Sequence, residues 1–220
     1  MTQKSTDLRI LRTRALLHTT LIDLIIEKGF DAVTVRDIAG RAMINRATFY
    51  RHFEDKYALV SDIFEETVER VLSQVGPPAQ RLDELAWLSV RPASASSDPA
   101  GEEMQRALRI LTGLFEHFAA QAKLYRALLG KNGSSWFATR MRTYIAGIWQ
   151  RRLRDSGLLG QAKTDAWEIM PVEVATTSLA SWFIGMLTWW LESDMSTPPR
   201  QLAAWSLYFM VHGYYHSLGF

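Results

Sequence analysis

The 220-residue chain contains no cysteine. That excludes a disulfide scaffold, a thiolate metal site and a cysteine nucleophile, and it fits a reducing cytoplasm. No G-x-S-x-G, H-E-x-x-H or glycine-rich phosphate loop occurs, so the usual signatures of serine hydrolases, zinc peptidases and nucleotide-binding enzymes are missing. The opening MTQKSTDLRILRTRALLHTT has neither the uninterrupted apolar core nor the small-residue cleavage site of a secretory leader, and none is expected. Period-two alternation is absent as well, which argues against half-buried strands. One long uncharged run needs a membrane test, VATTSLASWFIGMLTWWL at 174–191. Its five hydroxyl residues, Thr176, Thr177, Ser178, Ser181 and Thr188, and its acidic flanks Glu173 and Glu192 argue against a membrane span. A core or interface helix is expected there, with no membrane partner.

Hydrophobic residues make up 48% of the chain, enough for a substantial core. The net charge is only +2, but it is unevenly spread: residues 1–60 hold 10 Lys and Arg against 7 Asp and Glu. The remaining residues hold 15 against 16. A basic surplus confined to one end is a weak pointer to a polyanion.

Helical periodicity dominates throughout, and no internal repeat is found. A first helix is expected over 7–28, with Leu8, Leu11, Ala15, Ile22 and Ile26 on its inner face and Gly29 ending it. Thr34 followed by Asp37 three residues later is a close variant of the capping box, so a short helix should span 35–42. After a tight turn a second short helix is expected over 46–53, then a longer one from Asp55 to Val75, stopped by Gly76-Pro77-Pro78. Residues 79–88 read as a short helix, and the small, polar RPASASSDPAG at 91–101 as a loop. Further helices are expected over 102–129, 134–155, 165–192 and 199–218, separated by Gly130-Lys131-Asn132-Gly133, Gly157 and Pro198-Pro199.

Two short helices joined by a tight turn form a helix-turn-helix, whose second helix enters the major groove of DNA. In the first, Val35, Ile38, Ala39 and Ala42 are apolar at helical spacing. In the second, Phe49 and Phe53 point inward and leave Arg46, Thr48, Tyr50, Arg51 and His52 for phosphates, sugars and thymine methyls. The string Thr48-Phe49-Tyr50-Arg51-His52-Phe53-Glu54-Asp55-Lys56, behind the alanine-rich short helix, closely resembles the TetR family of bacterial repressors. The resemblance implies phosphate contacts from Thr34, Tyr50, His52 and Lys56, and base contacts from Asn45, Arg46 and Ala47. Asn45 is also a suitable helix cap. Two positions depart from the pattern: Met43 and Ala47 stand where glycines are common. Met43 must accept an unfavourable backbone if the turn requires positive φ.

Beyond the head, SLASWFIGMLTWWLESD at 178–194 and LYRALLGKNG at 124–133 resemble a TetR subgroup typified by dihydroxyacetone-kinase operon regulators. The resemblance implies an all-α chain with a three-helix helix-turn-helix domain over 1–55 and a ligand-binding, dimerising bundle over 56–220. It also implies a homodimer through the last two helices. Ser181 and Gly185 allow close approach there, and Trp182, Trp189, Trp205, Tyr208 and Phe209, beside Trp190, supply apolar area. Their pattern leaves open whether they face the protomer's own core or a partner. An effector pocket is implied in the preceding helices, with Phe115, Phe118, Tyr125, Trp136, Phe137, Met141, Tyr144 and Trp149 as candidates beside His117, suited to a small apolar or aromatic molecule. Core packing is the competing reading for each of them.

His212 and His216 are four apart, but Gly213 stands where a zinc-peptidase motif places glutamate, so no metal or cofactor is expected. Arg151, Arg152 and Arg154 complement a helix C-terminus. The function this sequence supports is sequence-specific binding of a palindromic DNA operator, released by a small effector, in the cytoplasm. The rivals are a constitutive DNA-binding dimer without an effector, or an enzyme.

Overall fold

A computed structural model describes residues 2–75, 99–155 and 170–210. The expected short helix at 79–88, most of the loop before Pro99, and His212 and His216 lie outside the described residues. Among the described residues there are nine helices and no strand: α1 (Thr2–Lys28), α2 (Val35–Arg41), α3 (Arg46–Tyr50), α4 (Lys56–Val75), α5 (Pro99–Ala120), α6 (Ala122–Leu129), α7 (Ser135–Asp155), α8 (Val172–Glu192) and α9 (Pro199–Phe209). The all-α reading holds.

The chain divides into two compact units. One comprises Met1–Leu72 with Ala122–Ala138; the other comprises Ser73–Gln121 with Thr139–Phe220. The boundary expected at residue 55 therefore does not coincide with the division: the first unit takes in most of α4, all of α6 and the start of α7. The helix expected to run unbroken over 102–129 is interrupted at Gln121, where the chain passes from one unit to the other. Neither glycine nor proline marks that break.

In the first unit α1 packs against α2 and α6. The inner face of α1 differs from the expected one. Leu17, Leu21, Leu24 and Ile25 are buried, whereas Leu8, Leu11, Ala15 and Ile26 are exposed. The helix offers more than one apolar stripe, and tertiary packing selects the stripe one step round. Gly29 ends α1 at φ 78°, as a left-handed cap requires. The Gly130–Gly133 turn brings α6 back into α7: a Cβ at Gly133 would collide with the Leu128 carbonyl, so only glycine fits.

In the second unit Leu153, Ala175, Leu179, Leu207 and Met210 form a core, joined by Leu108 and Leu111 of α5 and by Trp149 and Trp182. The α8 helix is long and apolar enough to cross a membrane, but it buries Ala175, Thr176, Leu179, Leu187, Trp190 and Leu191 within this unit. The buried Trp190 indole donates to the Thr197 carbonyl at 2.8 Å and so fixes the turn into α9.

Candidate nucleic-acid interface

The helix-turn-helix is positioned from both ends. At the start of α2 the full capping box is present. The Asp37 N–H donates to Thr34 Oγ1 at 3.2 Å, and the Thr34 N–H donates to Asp37 Oδ2 at 2.9 Å. The Thr34 hydroxyl also donates to Asp37 Oδ2 at 2.7 Å, and Lys28 Nζ reaches the same oxygen at 2.8 Å. With Lys28 and then Thr34 stabilising its charge, Asp37 is held far below the usual carboxylate range. A bidentate ion pair between Arg41 and Glu27 fastens the other end of α2 to α1.

The turn from α2 to α3 closes with two backbone bonds, Met43 N–H to Gly40 O at 3.2 Å and Ile44 N–H to Ala39 O at 3.0 Å. This is the Schellman arrangement, which places Met43 in the left-handed region at φ 51°. The sequence expectation for Met43 is met, and the conformation costs about 1–2 kcal/mol relative to right-handed backbone.

Asn45 then caps α3, its Oδ1 accepting from the Ala47 N–H at 2.9 Å. Helix α3 is shorter than expected, ending at Tyr50 with a turn through Arg51 and His52. Phe49 and Phe53 are buried 6.2 Å apart and clamp it to the unit. The opposite face presents Asn45, Arg46, Ala47, Tyr50 and Arg51 to solvent, with Thr48 and His52 half-buried beside them. Tyr50 is 50% exposed, its ring edge against Phe49. Arg51 Nη2 donates to Thr48 Oγ1 at 3.1 Å. Partial burial, then Arg51 and Arg14, hold His52 below the ordinary imidazole value, so it is neutral at pH 7 and able to donate one N–H to a phosphate.

Lys56, for which the resemblance implies a phosphate contact, is engaged by the chain's own backbone in this structure. Its ammonium donates to the carbonyls of Phe30 at 3.0 Å, Asp31 at 3.0 Å and Val33 at 2.8 Å, using all three of its protons. It also lies 4.7 Å from the Phe30 ring centroid and 5.3 Å from that of Tyr57. Trp136 stacks on Phe30 at 5.9 Å and leans on Tyr57 at 4.6 Å. Lys56 thus ties the α1–α2 loop to the start of α4. Thr34 is similarly committed to its capping box, although it stays exposed.

Pairing also reduces the cations available to a polyanion. Arg14 is bound to Asp62 at 2.5 Å, Lys28 to Asp37, and Arg41 to Glu27. Among the described residues Arg36, Arg46 and Arg51 are exposed on α2 and around α3 without a carboxylate partner. Arg36 escaped the sequence reading. It had one signal: a cation in the first turn of a helix opposes the macrodipole and so gains little from its own chain. The Arg14–Asp62–His18 network, which braces α1 against α4 beside Phe53, had no local signal.

The eight candidate pocket residues do not gather in one unit. Tyr125, Trp136 and Phe137 belong to the unit that carries the helix-turn-helix. Phe137 packs against Phe64 there, and burial alone raises the Tyr125 phenol well above its usual value. Phe115, Phe118, Met141, Tyr144 and Trp149 belong to the second unit. Phe115 and Phe118 pack against Phe183, which the sequence reading missed, and Phe115 also meets Trp190. Among the described residues no group of His, Cys, Asp and Glu is placed to hold a metal.

On the outer side of the second unit, Ser178, Ser181, Gly185 and Trp189 are exposed along α8, and Trp205, Tyr208 and Phe209 along α9. Trp182 and Phe209 stack at 4.2 Å and bind the two helices together.

Among the described residues, an all-helical fold with a capped helix-turn-helix and an exposed second helix is the arrangement that DNA-binding proteins use. Residues 19–63 match the profile of bacterial regulatory proteins of the TetR family, and residues 105–210 match that of a transcriptional regulator C-terminal region. The chain belongs to the TetR family. The regulator YdeS of Bacillus subtilis is 44% identical over 55 residues, 25% of this chain and 28% of that protein. The regulator YxbF of the same organism is 30% identical over 74 residues, 33% of this chain and 20% of that protein. The chain thus spans about a quarter of the length of these curated relatives. A regulator from Streptococcus agalactiae superposes with a TM-score of 0.56 at 22% identity, covering 94% of this chain and 97% of that one. The dihydroxyacetone kinase operon activator DhaS gives 0.52 at 14%, covering 93% and 97%. Thermus thermophilus FadR, a repressor solved with lauroyl-CoA, gives 0.55 at 17%, covering 91% and 94%. These likenesses are to regulators, not to enzymes.

Proposed function

We propose that this chain is a dimeric repressor that binds a palindromic DNA operator and is released by a small apolar or aromatic effector. The observation that carries the DNA reading is the exposed α3 face: Asn45, Arg46, Ala47, Tyr50 and Arg51 stand out from a helix anchored by buried Phe49 and Phe53. Arg46 and Ala47, at the leading end, are suited to base edges; Tyr50, Arg51, neutral His52 and Arg36 are suited to phosphates. Lys56 serves the loop instead, and Thr34 acts first as a cap. A target in chromosomal DNA would put the protein in the cytoplasm.

Dimerisation is supported by the outer stripe of the second unit, where Trp189 is 51% exposed, Trp205 46% and Tyr208 68%. Apolar rings at that exposure, beside the small Ser181 and Gly185, fit a second copy of the same face. Two-fold symmetry would then let two α3 helices read half-sites about one helical turn apart. For the effector, Phe115, Phe118 and Phe183, with half-buried Tyr144 and Trp149, supply an apolar interior in the second unit. FadR of Thermus thermophilus, with its bound acyl thioester, illustrates that this fold can take such a guest.

The test is selection of duplexes from a random library, followed by anisotropy titrations at several salt concentrations and in vitro transcription from the selected site. Tyr50→Ala should weaken every duplex tenfold or more, whereas Arg46→Ala should change the selected sequence. A purified protein that enriches no sequence sinks the proposal, and one that raises transcription from its site makes it an activator.

A further inference from the structure

Met43 has no role within the fold that accounts for it. Its backbone sits at φ 51°, a region that side chains bearing a Cβ rarely adopt, and its side chain is 91% exposed. Glycine would serve this turn better, because the two backbone bonds that close it involve no side chain. Strain retained at a side chain this exposed points to a contact outside the chain. Met43 lies two residues before the Asn45 cap, so the turn that holds it leads into the Arg46–Ala47 end of α3. A flexible, unbranched thioether reaches where a short residue cannot, and its apolar character suits one feature of the major groove above all, the thymine C5-methyl group.

We propose that Met43 is a specificity-determining residue that packs on a thymine methyl beside the bases approached by Arg46 and Ala47. The inference rests on the DNA-binding reading above. It deepens that reading by naming one base and the atom of it that is recognised. It also assigns a use to the side chain that the turn itself does not need.

The experiment uses the full-length protein and the duplex it enriches from a random library. Each thymine in one half-site is replaced in turn by deoxyuridine, which removes only the methyl group. For the wild type, one such replacement should weaken binding about fourfold, the worth of one buried methyl. Met43→Gly should raise the melting temperature, since it relieves the φ strain, and should lose the fourfold difference at that same base. Met43→Leu keeps both the strain and an apolar side chain, and should retain the difference; Met43→Gln keeps the strain alone and should lose it. Wild-type binding indifferent to every methyl, or a Met43→Gly protein that keeps the discrimination, overturns the inference while the DNA reading stands. A wild type that enriches no sequence overturns both.

Discussion

Lys56 separates two readings of one residue. The family resemblance assigns its charge to a DNA phosphate; the structure places its three protons on the Phe30, Asp31 and Val33 carbonyls. Replacement by Met keeps the stem and removes the donors. A hydrogen bond from a charged donor contributes about 1.5–3 kcal/mol, and a buried acceptor left alone costs about as much. The Asp31 carbonyl is at an exposed site and will rehydrate, so the part-buried Phe30 and Val33 carbonyls dominate the loss. Contact with the two aromatic rings adds about 0.5–1 kcal/mol. Because these terms share one ammonium they do not add fully, and Lys56→Met should cost about 3 kcal/mol. That is a large part of a stability of roughly 5–15 kcal/mol. Urea unfolding followed by helical circular dichroism and by tryptophan fluorescence reads it, since Trp136 stacks on the same Phe30. Salt titrations of DNA binding, under conditions where the variant stays folded, should keep the wild-type slope. The reasoning fails if the urea midpoint is unchanged while the slope of log K against log salt falls by about 0.9 per lost phosphate contact.

The capping box should be visible in stability as well. Thr34→Ala should cost about 1 kcal/mol in urea melts, the usual worth of an N-cap side chain. Asp37 has a folded-state pKa below its unfolded value, so the stability it supplies is complete above roughly pH 5 and is lost as pH falls through and below the unfolded value near 4. Asp37→Asn should therefore flatten the acid side of the stability–pH profile, and an unaltered profile would remove the assigned ion pair with Lys28. At the outer stripe of the second unit, Gly185→Arg puts a charge into the proposed two-fold face. Sedimentation should then show a monomer whose helix content is unchanged, with operator affinity reduced at least a hundredfold; an intact dimer would move the interface elsewhere.

The parts of the site that sequence makes legible are those fixed within one turn of chain. Thr34 and Asp37, Asn45 and Ala47, and Phe49 and Phe53 are separated by two to four residues, and each pair meets as its spacing requires. Met43 follows the same logic, because a two-bond turn dictates the sign of φ whatever residue occupies it. The inner face of α1 was not legible. Leu16 and Leu17 are adjacent, and Leu24, Ile25 and Ile26 are consecutive, so periodicity offers more than one stripe and cannot choose between them. Trp136 belongs to a segment that reads as part of the effector body, yet it lies on a ring more than a hundred residues earlier.

Charge carries the same lesson into function. Counting Lys and Arg suggests a broadly basic head, but an ion pair neutralises a cation as effectively for a passing phosphate as for the fold. Lys28 and Arg41 serve to hold α2 against α1, Arg14 braces α1 to α4, and Lys56 closes a loop. What remains exposed on α2 and around α3 is Arg36, Arg46 and Arg51. Four cations, Arg14, Lys28, Arg41 and Lys56, thus hold the helix-turn-helix unit together, and these three stay exposed. In the proposed complex, phosphate contacts from the exposed cations would fix the register of a helix that the paired ones hold in place.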